Sequence, residues 1–315
     1  MVTFSYLDCR VSNMRKTASL FLIVFSTITH FYGQNESFEL PVYYGQFFND
    51  PQINAIGFDN ETLILNLGHR RNGNNFGGIN TTLFSGRYQT DAKKNNGHHT
   101  FGLQFISDKE GFLIRRNRAG ITYGRHLKVS EKYHVAGGFT GGFYNFAIVS
   151  NDVTGGISSY AFDGAFSLSF YSDKTRVGLS LNQMTSPTLQ PLAQTITLAP
   201  HLNAFLEHDF SVSEDFKITP SALGRFSEST ASVFSGFYTA FGLRALFQQH
   251  IMGGVSMELD NGYYFFLGGV DVPFLSSRFD FNLSYFMPGL KNERSNVNKY
   301  ELFIRYKIGV QKKTK

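Results

Sequence analysis

The sequence predicts an all-β fold: a transmembrane antiparallel β-barrel of about fourteen strands, preceded by a cleaved signal peptide. Three observations carry this. At least ten short stretches alternate apolar with small or polar residues, a secretory signal precedes them, and no later apolar run could make a spanning helix. The stretch from Leu302 to Ile308 shows the pattern. Leu302, Ile304, Tyr306 and Ile308 fall on one face and Phe303, Arg305 and Lys307 on the other. Successive strand side chains point to opposite faces, so such a strand meets apolar surroundings on one side and water on the other. Repeated along a secreted chain, that alternation describes a bacterial outer-membrane barrel.

The first element, residues 1–33, combines an upstream extension with the signal peptide. Arg15 and Lys16 supply its positive region, and Ala18 to Ile28 supply an apolar stretch. That stretch is far short of the roughly 20 residues a spanning helix needs. Cleavage is expected between Gly33 and Gln34, and Met14 is the better initiator. Cys9 is the single cysteine and lies upstream of the signal, so the mature chain is expected to form no disulfide. Residues 34–59 form an expected periplasmic N-terminal segment, and 60–315 the barrel with a short basic tail.

Composition agrees with this division. A charged fraction of 17% is low for a soluble domain, although mean hydropathy is only −0.16. Outward apolar and inward polar positions average to such values. The 34 Phe and 16 Tyr suit lipid-facing strands with aromatic girdles, whereas the absence of Trp is unusual for them. The net charge of +5 draws partly on Lys312, Lys313 and Lys315. It reads as attraction to outer-membrane lipid headgroups; no basic stripe suggests nucleic acid as a partner.

With about 9–11 residues per tilted strand, candidates centre on 61–69, 77–87, 98–107, 118–127, 133–147, 160–171, 175–183, 196–210, 216–226, 233–247, 250–259, 262–271, 278–286 and 299–309. Glycines at Gly137-Gly138, Gly141-Gly142 and Gly242 mark places for bends. Pro200 and Pro220 interrupt two candidates, and counts of twelve to sixteen stay open. Connections at one end are short: Lys128–Lys132, Ser172–Lys174, Ser211–Asp215 and Gln248-Gln249. Those at the other are longer, including Asp108–Asn117, Ile148–Ser159, Met184–Thr195 and Met287–Asn298. Two break the rule, the long Tyr88–Gly97 and the tight Asp260-Asn261-Gly262. No repeat of about 40 residues argues for a propeller.

Chemistry-bearing residues are scattered. His98 and His99 are adjacent, so on a strand they face opposite sides and do not chelate one ion. Rim or loop positions suit them. Ser180, Asn182, His126 and Asp163 are the residue types of acyl transfer but stand in no catalytic arrangement. The chain is therefore expected to be non-enzymatic, with no cofactor. Arg115-Arg116-Asn117-Arg118 is expected in an outer loop, either solvated or clamping phosphates. Arg225, Arg244, Glu207, Asp209, Asp271 and Asp280 face the lumen with both signs, as a mutually satisfied interior does. Glu207 and Asp209 share a strand face that would suit a cation.

The segment Pro41–Ala55 is neither strand-like nor low in complexity. Within it Gln46, Phe47, Phe48, Asn49, Pro51, Ile53 and Asn54 match an N-terminal signature, and the chain resembles the PorP/SprF family of type IX secretion membrane proteins of Bacteroidota. The departure is Ala55-Ile56-Gly57-Phe58, where the family has a second proline and a tyrosine. Further echoes are Ser107–Gly111, Leu127–Lys132, Gly178–Gln183 and the closing strand Lys299–Ile308, after which Gly309–Lys315 continues where the family normally ends on an aromatic. The resemblance implies a barrel that joins other type IX components, including periplasmic lipoproteins, or serves large secreted adhesins, some used in gliding. It implies a partner-binding role for the Gln46–Asn54 segment. Composition alone would equally fit a passive porin or small-solute channel.

Overall fold

The structure, a computed structural model, describes residues 62–72, 79–90, 97–111, 113–149, 157–190, 195–227, 236–259, 264–274, 277–287 and 299–309. Among these residues every regular element is a strand. The wall begins with β1 (Leu63–Asn72), β2 (Ile79–Gln89), β3 (Gly97–Glu110), β4 (Ile114–Lys128), β5 (His134–Ile148), β6 (Ile157–Tyr171) and β7 (Thr175–Asn182). A connection holding two-residue strands β8 (Thr188–Leu189) and β9 (Ile196–Thr197) follows. The wall resumes with β10 (His201–His208), its short continuation β11 (Phe210–Ser211), β12 (Phe216–Ser227), β13 (Gly236–Phe247), β14 (Ile251–Glu258), β15 (Tyr264–Phe274), β16 (Ser277–Met287) and β17 (Lys299–Ile308).

Neighbours in the wall pair antiparallel, and β1 pairs with β17 from Leu63↔Ile308 to Asn72↔Lys299. The β10–β12 pairing joins the two halves, so the sheet closes. Counting β10 and β11 as one strand interrupted at Asp209, the barrel has fourteen strands. Closure leaves no long lipid-facing edge, which a bilayer demands because it offers backbone groups no hydrogen bonds.

The alternation sets the faces. On β3, Phe101, Leu103 and Phe105 are exposed on the outside, while Thr100, Gln104, Ile106 and Asp108 are buried inside. β17 divides as its sequence requires: Tyr300 and Leu302 outward, Glu301, Phe303 and Arg305 inward. Ile121 in mid-β4 is 73% exposed, as suits a lipid-facing side chain. Tyr88, Tyr123, Tyr133, Phe170, Phe210 and Phe247 stand outward near the end where β1 starts and β17 finishes. They form one aromatic girdle.

All fourteen expected strands are present, with local corrections. β3 and β4 run on to Glu110 and Ile114, so Arg115–Arg118 lies on a strand and not in an outer loop. β5 and β13 are continuous through their glycines. Pro220 lies inside β12, and Pro200 precedes β10. Ile196 and Thr197 pair with β8 instead of belonging to the wall. The expected signal peptide, the 34–59 segment and its residues Gln46, Phe47, Phe48, Asn49, Pro51, Ile53 and Asn54 lie outside the described residues.

Candidate functional site in the filled lumen

β7 stops at Asn182 and the chain turns out of the wall. Gln183 (φ 54°) and Ser186 (φ 46°) adopt left-handed backbone that side-chain-bearing residues use sparingly. The turn carries the β8–β9 connection inward. Leu189 and Leu198 are fully buried there, in one apolar cluster with Leu83, Ile106, Tyr144, Phe146, Leu267 and Phe303. These side chains come from β2, β3, β5, β15 and β17. In a ring of fourteen, β5 and β15 stand seven places apart, so the cluster joins opposite walls. A barrel this wide would otherwise enclose water.

Toward the other end the lumen is polar and internally paired. Arg176 on β7 binds Glu207 and reaches Asp209 at 3.2 Å. Lys217 Nζ lies 2.9 Å from Asp209, and the Thr219 hydroxyl donates to it at 2.8 Å. Arg244 stands 3.9 Å from Glu207. The Glu207/Asp209 face expected to suit a cation is thus occupied by this chain's own cations. Across the ring, Lys307 lies 2.9 Å from Asp280, and Arg278 lies 3.6 Å from Asp271. Arg225 Nε donates to Asn203 and Arg305 Nε to Asn66, each at 3.0 Å. Neutralised pairs of this kind fix a wall more than they select an ion.

The histidines separate as strand geometry requires. His98 faces the lumen and stacks on His126 with ring centres 4.1 Å apart. His126 Nδ1 is 2.7 Å from the Tyr171 hydroxyl, and Tyr171 stacks on His134. His99 faces outward, bound to Arg125 and to the Tyr123 hydroxyl. Among the described residues no group of three His, Cys, Asp or Glu side chains could hold a metal ion.

The residue types of acyl transfer do not converge. Asn182 donates to Ser180 at 3.0 Å, His126 bonds Tyr171, and Asp163 is held by Arg118 at 2.7 Å. From the Arg115–Arg118 run, Arg116 and Arg118 face the lumen and Arg115 faces out; Arg116 stands 3.8 Å from Asp108. Two of the three arginines are therefore lumenal partners of carboxylates, and Arg118 is buried. Sequence reasoning missed the apolar lumenal cluster. Its signal was available on β5, where aromatics occupy both faces: Phe139 and Phe143 outward, Tyr144 and Phe146 inward.

A closed antiparallel barrel with an apolar outer face and girdle defines an integral outer-membrane protein. Solved barrels agree on the fold. The Ralstonia pickettii toluene transporter TbuX matches at TM-score 0.52 and 13% identity, over 84% of this chain and 92% of that one. A Pseudomonas aeruginosa FadL homologue matches at TM-score 0.52 and 10% identity, over 83% and 93%. The monoaromatic hydrocarbon channel CymD matches at TM-score 0.51 and 14% identity, over 86% and 98%. No curated protein sequence matches the chain. The type IX secretion system membrane protein PorP/SprF family matches residues 38–306, and the chain belongs to that family.

Proposed function

We propose that this barrel is a non-conducting outer-membrane platform for type IX secretion, holding secreted cargo or its partners at the cell surface. The observation that carries the reading is the apolar cluster around Leu189 and Leu198, which crosses the lumen between opposite walls. A passive porin or solute channel needs a continuous wet path, and the lumenal filling favours a platform over it. The likeness to toluene and hydrocarbon channels is one of fold.

On this reading the Gln46–Asn54 segment docks a periplasmic partner, with Phe47 and Phe48 as apolar anchors. Periplasmic lipoproteins of the apparatus and large adhesins are the expected partners, and gliding is one use of such cargo. The departure at Ala55–Phe58 favours a dedicated cargo factor over a core component. Deletion in the native host tests this, with surface and medium proteins compared by mass spectrometry. Loss of one or a few large adhesins supports a dedicated factor, and loss of all type IX cargo makes it a core component. An unchanged surface overturns the reading.

A further inference from the structure

The outer surface of β1 to β4 ends in cations. Arg71 on β1 pairs with Asn80 on β2, Asn80 with Lys109 on β3, and Lys109 with Arg115 on β4. One cross-strand row thus holds two guanidiniums and an ammonium, and all three side chains are exposed. Among the described residues none of the three has an ion-pair partner. The neighbouring carboxylates Asp108 and Asp163 face the lumen, held by Arg116 and Arg118.

Strand alternation orders what lies below. The next outward row is polar and again in register: His69, Thr82, Ser107, Asn117 and Asn145. Asn117 donates to Asn145 at 3.2 Å, and His69 bonds the Thr82 hydroxyl at 3.2 Å. The row after that is apolar, with Leu67, Phe84, Phe105 and Phe143 all exposed, and Ile121 follows on β4. The other half of the wall differs. Phe241 on β13, Val255 on β14 and Phe266 on β15 keep its outside apolar. Arg244 and Arg278 turn to lumenal carboxylates, so among the described residues no Lys or Arg faces outward on β13 to β16.

The cationic row stands at the lipid boundary. It lies at the end opposite the start of β1 and the finish of β17. That other end carries the shorter connections, such as Ser172–Lys174 and Gln248–His250, as the periplasmic end of such a barrel does. The row therefore meets the outer leaflet. From Tyr123 in the girdle to Arg115, β4 rises about 20 Å at ~3.3 Å per residue and a tilt of ~40°, against an apolar band roughly 25 Å tall. Because the strands tilt, the row is inclined, by about 9 Å between Arg71 and Arg115 at ~4.8 Å between strands.

We infer that this row binds the phosphorylated headgroup of an outer-leaflet glycolipid. A guanidinium meets phosphate through a bidentate fork. The amides and hydroxyls below suit sugar hydroxyls and acyl carbonyls, and the apolar row takes the chains. A free phosphate uses only the cations, and an acidic protein does not follow the polar row down into lipid. An anionic amphiphile uses all three rows. The site is independent of the platform role.

Native mass spectrometry of the purified full chain in detergent tests it, with diphosphoryl lipid A, its dephosphorylated counterpart and inorganic phosphate as probes. Diphosphoryl lipid A should stay bound, and the dephosphorylated form, with the same chains, should bind far more weakly. Arg71→Gln, Lys109→Gln and Arg115→Gln together should weaken binding on the order of a hundredfold. Removing the same charge from the tail, by Lys312→Gln, Lys313→Gln and Lys315→Gln, should leave it unchanged. Heat-modifiable migration, the sign of a folded barrel, checks each variant. If the triple wall variant does not fold, Lys109→Gln alone should give about a fivefold loss. Equal binding of the two lipid forms, displacement of the lipid by millimolar inorganic phosphate, or equal losses in the wall and tail variants overturns the inference.

Discussion

Arg118 on β4 reaches across β5 to Asp163 on β6, with Nη2 2.7 Å from Oδ2, and a glycine lets it pass. The β5 residue opposite Asp163 is Gly142. A Cβ there would lie 2.7 Å from Gly120 Cα and collide with the Ala119 carbonyl oxygen. The pair thus clamps three strands through a point where two backbones approach closely.

Breaking that clamp on one side should be costly. Asp163→Ala removes a carboxylate partner from the buried Arg118 guanidinium, a loss on the order of 3–5 kcal/mol. Guanidinium unfolding followed by circular dichroism measures it. The double variant Arg118→Leu, Asp163→Leu should recover most of the loss, because both charges leave together. Equal instability of single and double variants would show that the pair does not act as a unit.

Charge on the outer face should be penalised by depth. Ile121→Arg places a guanidinium in the hydrocarbon and should cost roughly 2–4 kcal/mol in a bilayer, whereas Val129→Arg at the rim should cost about 0–1 kcal/mol. Folding equilibria in lipid vesicles distinguish the two. Similar costs at both sites would contradict the assignment of Ile121 to the lipid-facing wall.

Removing the inturned connection should change permeability. In planar bilayers the intact protein should show no steady conductance. A variant in which a short Gly-Ser link replaces Thr188–Leu198 should conduct ions, because Leu189 and Leu198 no longer bridge the walls. Steady conductance by the intact chain would instead favour a passive channel.

The N-terminal segment should be separable from the barrel. Phe47→Ala with Phe48→Ala should reduce cargo at the cell surface while leaving heat-modifiable migration unchanged. If the barrel itself is lost, the segment is a structural part and not a docking element.

Much of the wall was legible because a period of two, repeated against lipid, leaves little freedom. Leu302 and Ile304 on β17, opposite Phe303 and Arg305, could be assigned to faces from sequence alone. The Arg115–Arg118 run misled because arginine on a membrane strand reads as loop. Asp163, Asp108 and the small Gly142 that permit its burial come from other strands. The lumenal filling was harder still. Leu189 looks like an ordinary loop residue and Leu198 like part of a wall strand over 196–210, and only the left-handed turns at Gln183 and Ser186 aim them inward. The paired cations at Glu207 and Asp209 likewise depend on β7, β12 and β13 meeting β10, which spacing along the chain does not announce.

The bond from Arg305 Nε to Asn66 Oδ1 joins residues 239 positions apart and lies beside the seam between β1 and β17. Until β17 arrives, β1 holds only β2, and the nascent wall is a curled sheet with two raw margins. Contacts of such separation are slow to form. The periplasm must therefore keep an almost complete polypeptide from aggregating until its last strand is delivered. A frameshift ahead of Lys299 should yield no shortened barrel, only material for proteases.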